Sequence, residues 1–120
     1  MSGTLYIVST PIGNLDDISR RAIAVLGEVD WVAAEDTRHS QRMLEQLGIR
    51  SRLISCHDHN ESARSEELVA RLQSGEQGAL ISDAGTPLVS DPGYRLVRAC
   101  HQADVRVVPI PGASALLAAL

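Results

Sequence analysis

The chain has no lysine, no phenylalanine, two cysteines, and three aromatic side chains, Tyr6, Trp31 and Tyr94, in 120 residues. All eleven basic residues are arginine. Each shortage excludes something. Without lysine there is no P-loop, and Walker-type nucleotide hydrolysis drops out. Cys56 and Cys100 stand far apart and fit neither a metal-ligand spacing nor a disulfide framework. Each reads as a small buried apolar residue, and such usage suits a reducing cytoplasm. No apolar run approaches the roughly 20 residues of a membrane span, so no membrane partner is expected. Met1-Ser2-Gly3-Thr4 carries no basic region and leads straight into a strand-like segment, unlike a signal peptide.

The formal net charge is −4, a poor electrostatic footprint for a nucleic-acid binder. Arg20, Arg21, Arg38, Arg42, Arg50, Arg52 and Arg64 nevertheless crowd into the first 64 residues. They read as solvated helix faces. Bases stack on aromatic rings or on arginine planes, and this chain is equipped for the second mode alone. An RNA substrate would need another domain or subunit to help hold it.

What is present is alternation. The apolar fraction of 44% and the length suit one domain over residues 1–120. Strands are predicted at Leu5 to Val8, Trp31 to Ala34, Leu53 to Cys56, Ala79 to Ile81 and Val105 to Val108. Between them run helix-period segments. The first, capped by Asp17, carries Ile18, Ala22, Val25, Leu26 and Val29 on one stripe. The second places Met43, Leu44 and Leu47 inward and stops at Gly48. The third, capped by Asn60, carries Ala63, Leu68, Val69 and Leu72 and stops at Gly75. The fourth has Asp91 as cap, Pro92 at its first position, and Leu96, Val97 and Cys100 inward. Pro111 opens a final helix that reaches Leu120 without a stop signal, which implies a longer natural protein. Strict alternation predicts an α/β fold: a five-stranded, mainly parallel sheet with helices on both faces.

In such sheets ligands bind beyond the C-terminal ends of the strands. The residues that follow each strand therefore compose the candidate site. They are Ser9 to Asn14, Glu35 to Ser40, His57 to Glu61, Ser82 to Gly93, and Pro109 to Ser114. The fourth group is much longer than folding requires. Its glycines, prolines, aspartates and serines suit close backbone contact with a ligand. Pro11-Ile12-Gly13-Asn14 alone is an ordinary turn signal. Glu35-Asp36 also reads as a helix start. His57-Asp58-His59 is a weak zinc pattern without a further spaced ligand, and no metal is expected.

Five segments occur in register at the strand ends: Leu5 to Leu15, Ala33 to Arg38, His57 to Asn60, Ser82 to Pro87 with Asp91-Pro92-Gly93, and Val108 to Ser114. Together they resemble the N-terminal domain of the tetrapyrrole methylase superfamily, in its branch that 2′-O-methylates a cytidine of small-subunit ribosomal RNA. The resemblance spans essentially the whole chain. It implies a homodimeric, S-adenosylmethionine-dependent enzyme with the cofactor between this domain and a C-terminal α/β domain absent here. It implies cofactor contacts from Pro11, Gly13, Ser82, Asp83, Ala84, Gly85, Thr86, Pro87, Pro111, Gly112 and Ala113. The wider superfamily has Gly-Gly-Asp-Pro after its fourth strand. Here the stretch is Ala84-Gly85-Thr86-Pro87, so only Gly85 and Pro87 carry over. That departure leans away from tetrapyrrole substrates and towards RNA.

A ribose hydroxyl is a poor nucleophile until a base takes its proton. The candidates are Asp36, His57, Asp58 and Asp83, with Arg38 to hold a phosphate. Two other readings stay open: a tetrapyrrole carbon methylase, and a non-catalytic binding module on the same scaffold.

Overall fold

The structure is a computed structural model and describes residues 2–9, 18–56, 61–82 and 91–110. Five strands and four helices alternate: β1 (Thr4–Ser9), α1 (Arg20–Glu28), β2 (Trp31–Ala34), α2 (Thr37–Gln46), β3 (Leu53–Ser55), α3 (Glu61–Gln73), β4 (Gly78–Ser82), α4 (Asp91–Gln102) and β5 (Arg106–Ile110). The strands form one sheet in the order β3-β2-β4-β1-β5, and every pairing is parallel. The strand β4 thus stands at the centre although it comes fourth in the chain.

Successive strand residues point to opposite faces, and the chain uses both. Leu5, Ile7, Trp31, Ala33, Ile54 and Leu80 join Leu68, Leu72, Leu96, Val97 and Cys100 in one core beneath α3 and α4. Val8, Val32, Ala34, Ala79, Ile81 and Ile110 join Ala22, Val25, Leu26, Met43 and Leu44 in a second core beneath α1 and α2. A strand covered on both faces needs apolar residues throughout; all four residues of Trp31–Ala34 are buried.

Among the boundaries that differ from the sequence expectation, three concern caps or edge position. The helix α1 is capped by Ser19, whose hydroxyl accepts from the Ala22 amide at 3.1 Å, rather than by Asp17, which lies outside the described residues. Ile18 is left before the helix and packs at the margin of the second core. The fifth strand starts later and runs through Pro109 to Ile110. Because β5 is an edge strand, a residue without an amide donor is accommodated there. The helix α4 already includes Asp91, one residue before the expected start. The cap expected from Asn60 and the helix expected from Pro111 fall outside the described residues.

The N-terminal ends of the strands are tied to one another. The Gly3 amide donates to the Leu72 carbonyl at 2.6 Å. The Thr4 amide donates to Gln77 Oε1 at 3.0 Å, and the Gln77 amide donates to Asp30 Oδ2 at 2.7 Å. The Asp30 amide returns a bond to the Gln77 carbonyl at 2.8 Å. These bonds link the entrances of β1, β2 and β4. Gly78, at the start of β4, lies against the indole of Trp31, where a Cβ would collide with the ring.

Candidate active site at the strand ends

Parallel pairing brings the C-terminal ends of all five strands to one edge. There β1 and β4 finish side by side, Ser9 opposite Ser82. From β1 the chain proceeds to α1, on one face of the sheet; from β4 it proceeds to α4, on the other. Adjacent strands whose connections depart to opposite faces mark the usual ligand position in open α/β sheets, and β1 with β4 meets that condition, as does β2 with β4. Four of the five strands end on a small residue, Ser9, Ala34, Ser55 or Ser82. Small side chains at that edge leave room for a ligand against the backbone.

The start of α2 borders the same edge. Asp36 is its N-cap: one carboxylate oxygen accepts from the Arg38 amide at 3.1 Å and the His39 amide at 3.2 Å. The helix-start reading of Glu35-Asp36 therefore holds for Asp36, and both residues are exposed. Arg38 stands exposed in the first turn of α2, and its carbonyl accepts from Arg42 Nε at 3.4 Å. These two are the catalytic candidates among the described residues. His57 and Asp58, which follow β3 in the chain, lie outside them. So do Pro11, Gly13, Asp83, Ala84, Gly85, Thr86, Pro87, Pro111, Gly112 and Ala113. Of the cofactor candidates, Ser82 alone falls in a described element, as the last residue of β4.

The chain matches the Tetrapyrrole (Corrin/Porphyrin) Methylases over residues 4–120. It belongs to that family. This methylase chain is 60% identical over 119 residues to the ribosomal RNA small subunit methyltransferase I of Pseudomonas aeruginosa, a match that covers 99% of the chain and 42% of that protein. It is 58% identical over 118 residues to the protein of the same name from Escherichia coli O157:H7, covering 98% of the chain and 41% of the relative. The chain thus spans about two-fifths of the length of these relatives. Among solved structures, diphthine synthase superposes with a TM-score of 0.73 at 21% identity, over 92% of this chain and 45% of that one. Uroporphyrin-III-C-methyltransferase from Thermus thermophilus superposes with a TM-score of 0.72 at 20% identity, over 93% and 48%. Identities this low carry the fold alone.

A further set of exposed polar side chains lies beside the site, where the sequence pattern suggests no more than solvated helix surface. Gln41, Arg42 and Glu45 continue from Arg38 along the outer face of α2, and Arg50 meets them before β3. The signal present in the sequence is the spacing of Arg38, Arg42 and Glu45, which places them on one helix face.

Proposed function

We propose that this chain is the N-terminal, cofactor-binding part of an S-adenosylmethionine-dependent enzyme that 2′-O-methylates a cytidine of small-subunit ribosomal RNA. A C-terminal α/β domain would complete the cleft, and the enzyme would work as a cytoplasmic homodimer. The observation that carries this reading is the 60% identity, over nearly the whole chain, to a relative named for ribosomal RNA small subunit methylation. The likeness to a tetrapyrrole methylase stands at 20% and concerns fold. The arrangement of the strand ends is compatible with the cofactor: a position beyond β1 and β4, rimmed by small residues, suits an adenosine-sized group.

When bound, S-adenosylmethionine supplies an electrophilic methyl group attached to a positively charged sulfur. The residues proposed to hold it are Pro11, Gly13, Ser82, Asp83, Ala84, Gly85, Thr86, Pro87, Pro111, Gly112 and Ala113. Their glycines and prolines allow backbone groups to approach closely. Asp36, His57 and Asp58 are the groups proposed to take the proton from the ribose hydroxyl, and Arg38 to fix an adjacent phosphate through its guanidinium. Most of the rate enhancement would come from alignment of the hydroxyl.

The test uses the intact protein and small ribosomal subunits that lack the modification. Methyl transfer to a cytidine 2′-hydroxyl is expected, and its absence would refute the assignment. Asp36→Asn keeps a good N-cap while removing the base, since asparagine caps as well as aspartate. Full activity in that variant, in His57→Ala and in Asp58→Ala would strike these residues from the catalytic set. Gly85→Val is expected to weaken cofactor binding in a titration; unchanged affinity would remove the loop after β4 from the site.

A further inference from the structure

The outer face of α2 carries a groove. Arg38, Gln41, Arg42 and Glu45 line a depression of about 320 Å3. Gln41 and Glu45 also line the next one, of about 400 Å3, together with Leu44, Ile49, Arg50, Ser51 and Leu53. The two depressions share those two residues, and side by side they extend along α2 from Arg38 in its first turn to Arg50 before β3. Gly48 makes this arrangement possible: its φ of 73° turns the chain after α2 and returns Arg50 beside that helix.

The charge along this groove is unlike the rest of the molecule. From Arg38 to Arg50 there are three arginines against one glutamate, in a chain whose net charge is −4. The glutamate does not neutralise them: Glu45 Oε1 accepts from Gln41 Nε2 at 3.3 Å. Among the described residues Arg38, Arg42 and Arg50 form no ion pair, and all three are exposed. On α3 the opposite holds, since Arg64 and Arg71 both pair with Glu67, at 2.9 and 3.5 Å. Arg42 directs its Nε at the Arg38 carbonyl, which leaves its terminal amino groups for an external acceptor. Arg38 and Arg42 stand one helical turn apart, a rise of about 6 Å. Guanidinium groups without ion-pair partners, lined up along one helix face, match phosphate oxygens.

We infer that this groove carries the phosphate backbone of the RNA strand that leads to the methylation site. The inference rests on the ribosomal RNA reading above and adds a surface to it. It also answers how an acidic chain with three aromatic residues engages RNA: binding is confined to one short positive track and made through the backbone, not by base stacking.

The test compares the intact enzyme with an Arg42→Gln/Arg50→Gln double variant, using unmodified small subunits and protein-free small-subunit RNA as probes. Glutamine keeps helix propensity close to that of arginine. The variant is expected to bind both probes on the order of tenfold more weakly, because an arginine that holds a phosphate strengthens binding to every sequence alike. The slope of log affinity against log salt should flatten by about 1.4, about 0.7 for each single-strand phosphate neutralised. Cofactor affinity should be unchanged, and Arg42→Lys/Arg50→Lys should recover much of the binding. If the wild type methylates small subunits but the Gln variant matches it in affinity and salt slope, the groove is not an RNA track. A defect confined to intact subunits would assign the groove to a ribosomal protein and overturn the proposal. A wild type that modifies no small subunit would remove the functional reading beneath it.

Discussion

The two edges of the sheet are built for different purposes. At the N-terminal edge, main-chain and side-chain groups from distant parts of the chain are bonded to each other, through Gly3, Thr4, Asp30, Leu72 and Gln77. The Trp31 indole fills the space that Gly78 leaves. At the C-terminal edge the strands finish on small residues and long polar segments follow. One edge places its hydrogen-bonding groups on itself; the other leaves side chains such as Arg38 facing solvent. With the site proposed at the C-terminal edge, the contrast teaches that stability and function would fall to opposite ends of the same strands. Substitutions at the two edges should therefore divide cleanly between unfolding and loss of activity.

That division can be broken by experiment. The largest effect is expected from Trp31→Ala, which empties a fully buried site and should cost about 3–5 kcal/mol in urea denaturation of the intact protein. Gly78→Ala should cost about 1–3 kcal/mol, since the new methyl group overlaps the indole. In a Trp31→Ala background the same change should become nearly neutral, and a double-mutant cycle reads that coupling directly. Additive effects would show that the two residues do not share the space. Neither change should alter cofactor affinity in the fraction that folds.

At the other edge, Asp36→Ala should lose about 1 kcal/mol with its cap, while Asp36→Asn should lose a few tenths. Equal stability losses in the two would contradict the capping geometry. Gln77→Ala removes the acceptor of the Thr4 amide and should cost about 0.5–1.5 kcal/mol, with methyl transfer retained. The last effect vanishes at neutral pH. Burial raises the Cys100 thiol from 9.0 to about 11. The folded state therefore favours the protonated thiol, and this contribution is intact below pH 9 and lost as pH rises towards 11. No lysine titrates in that window, because the chain has none. Wild type should lose more stability than Cys100→Ala between pH 9 and 11; parallel curves would show that the thiol is not sequestered.

Much of the fold was legible in the residues. The strands declared themselves because each is apolar over its central positions, most fully at Trp31–Ala34, which is buried on both faces. The helix stop at Gly48 was equally readable, since glycine adopts its left-handed backbone angle at no steric cost. The start of α1 was not. Asp17 and Ser19 are both good caps, two residues apart, and the choice depends on where Ile18 packs, which is a tertiary matter. Pro109 misled for a similar reason: it ends a central strand but suits an edge strand, and the order of strands is not written locally.

The proposed site follows from the rule that ligands gather at strand ends, and most of its residues lie outside the described ones. Asp36 illustrates the limit. Its sequence context fits a cap and a base equally, and the bonds from the Arg38 and His39 amides establish the first role without excluding the second. The groove on α2 was harder still. Arg42 and Arg50 are eight positions apart, and only the turn at Gly48 and the packing of α2 beside β3 bring them to one surface.

The central position of β4 has a consequence for how the chain matures. β1 pairs with β4 and β5, and β2 pairs with β3 and β4. A growing polypeptide that has not yet reached Gly78 therefore holds the β2–β3 pair and a lone β1 with nothing to join them. Their facing edges stay open until the fourth strand emerges and closes both at once. Pairings that wait so long on sequence-distant partners form slowly, and unpaired strands recruit foreign ones in the meantime. The nascent chain should be most vulnerable to aggregation just before residue 78, and least so soon after Ser82 is free.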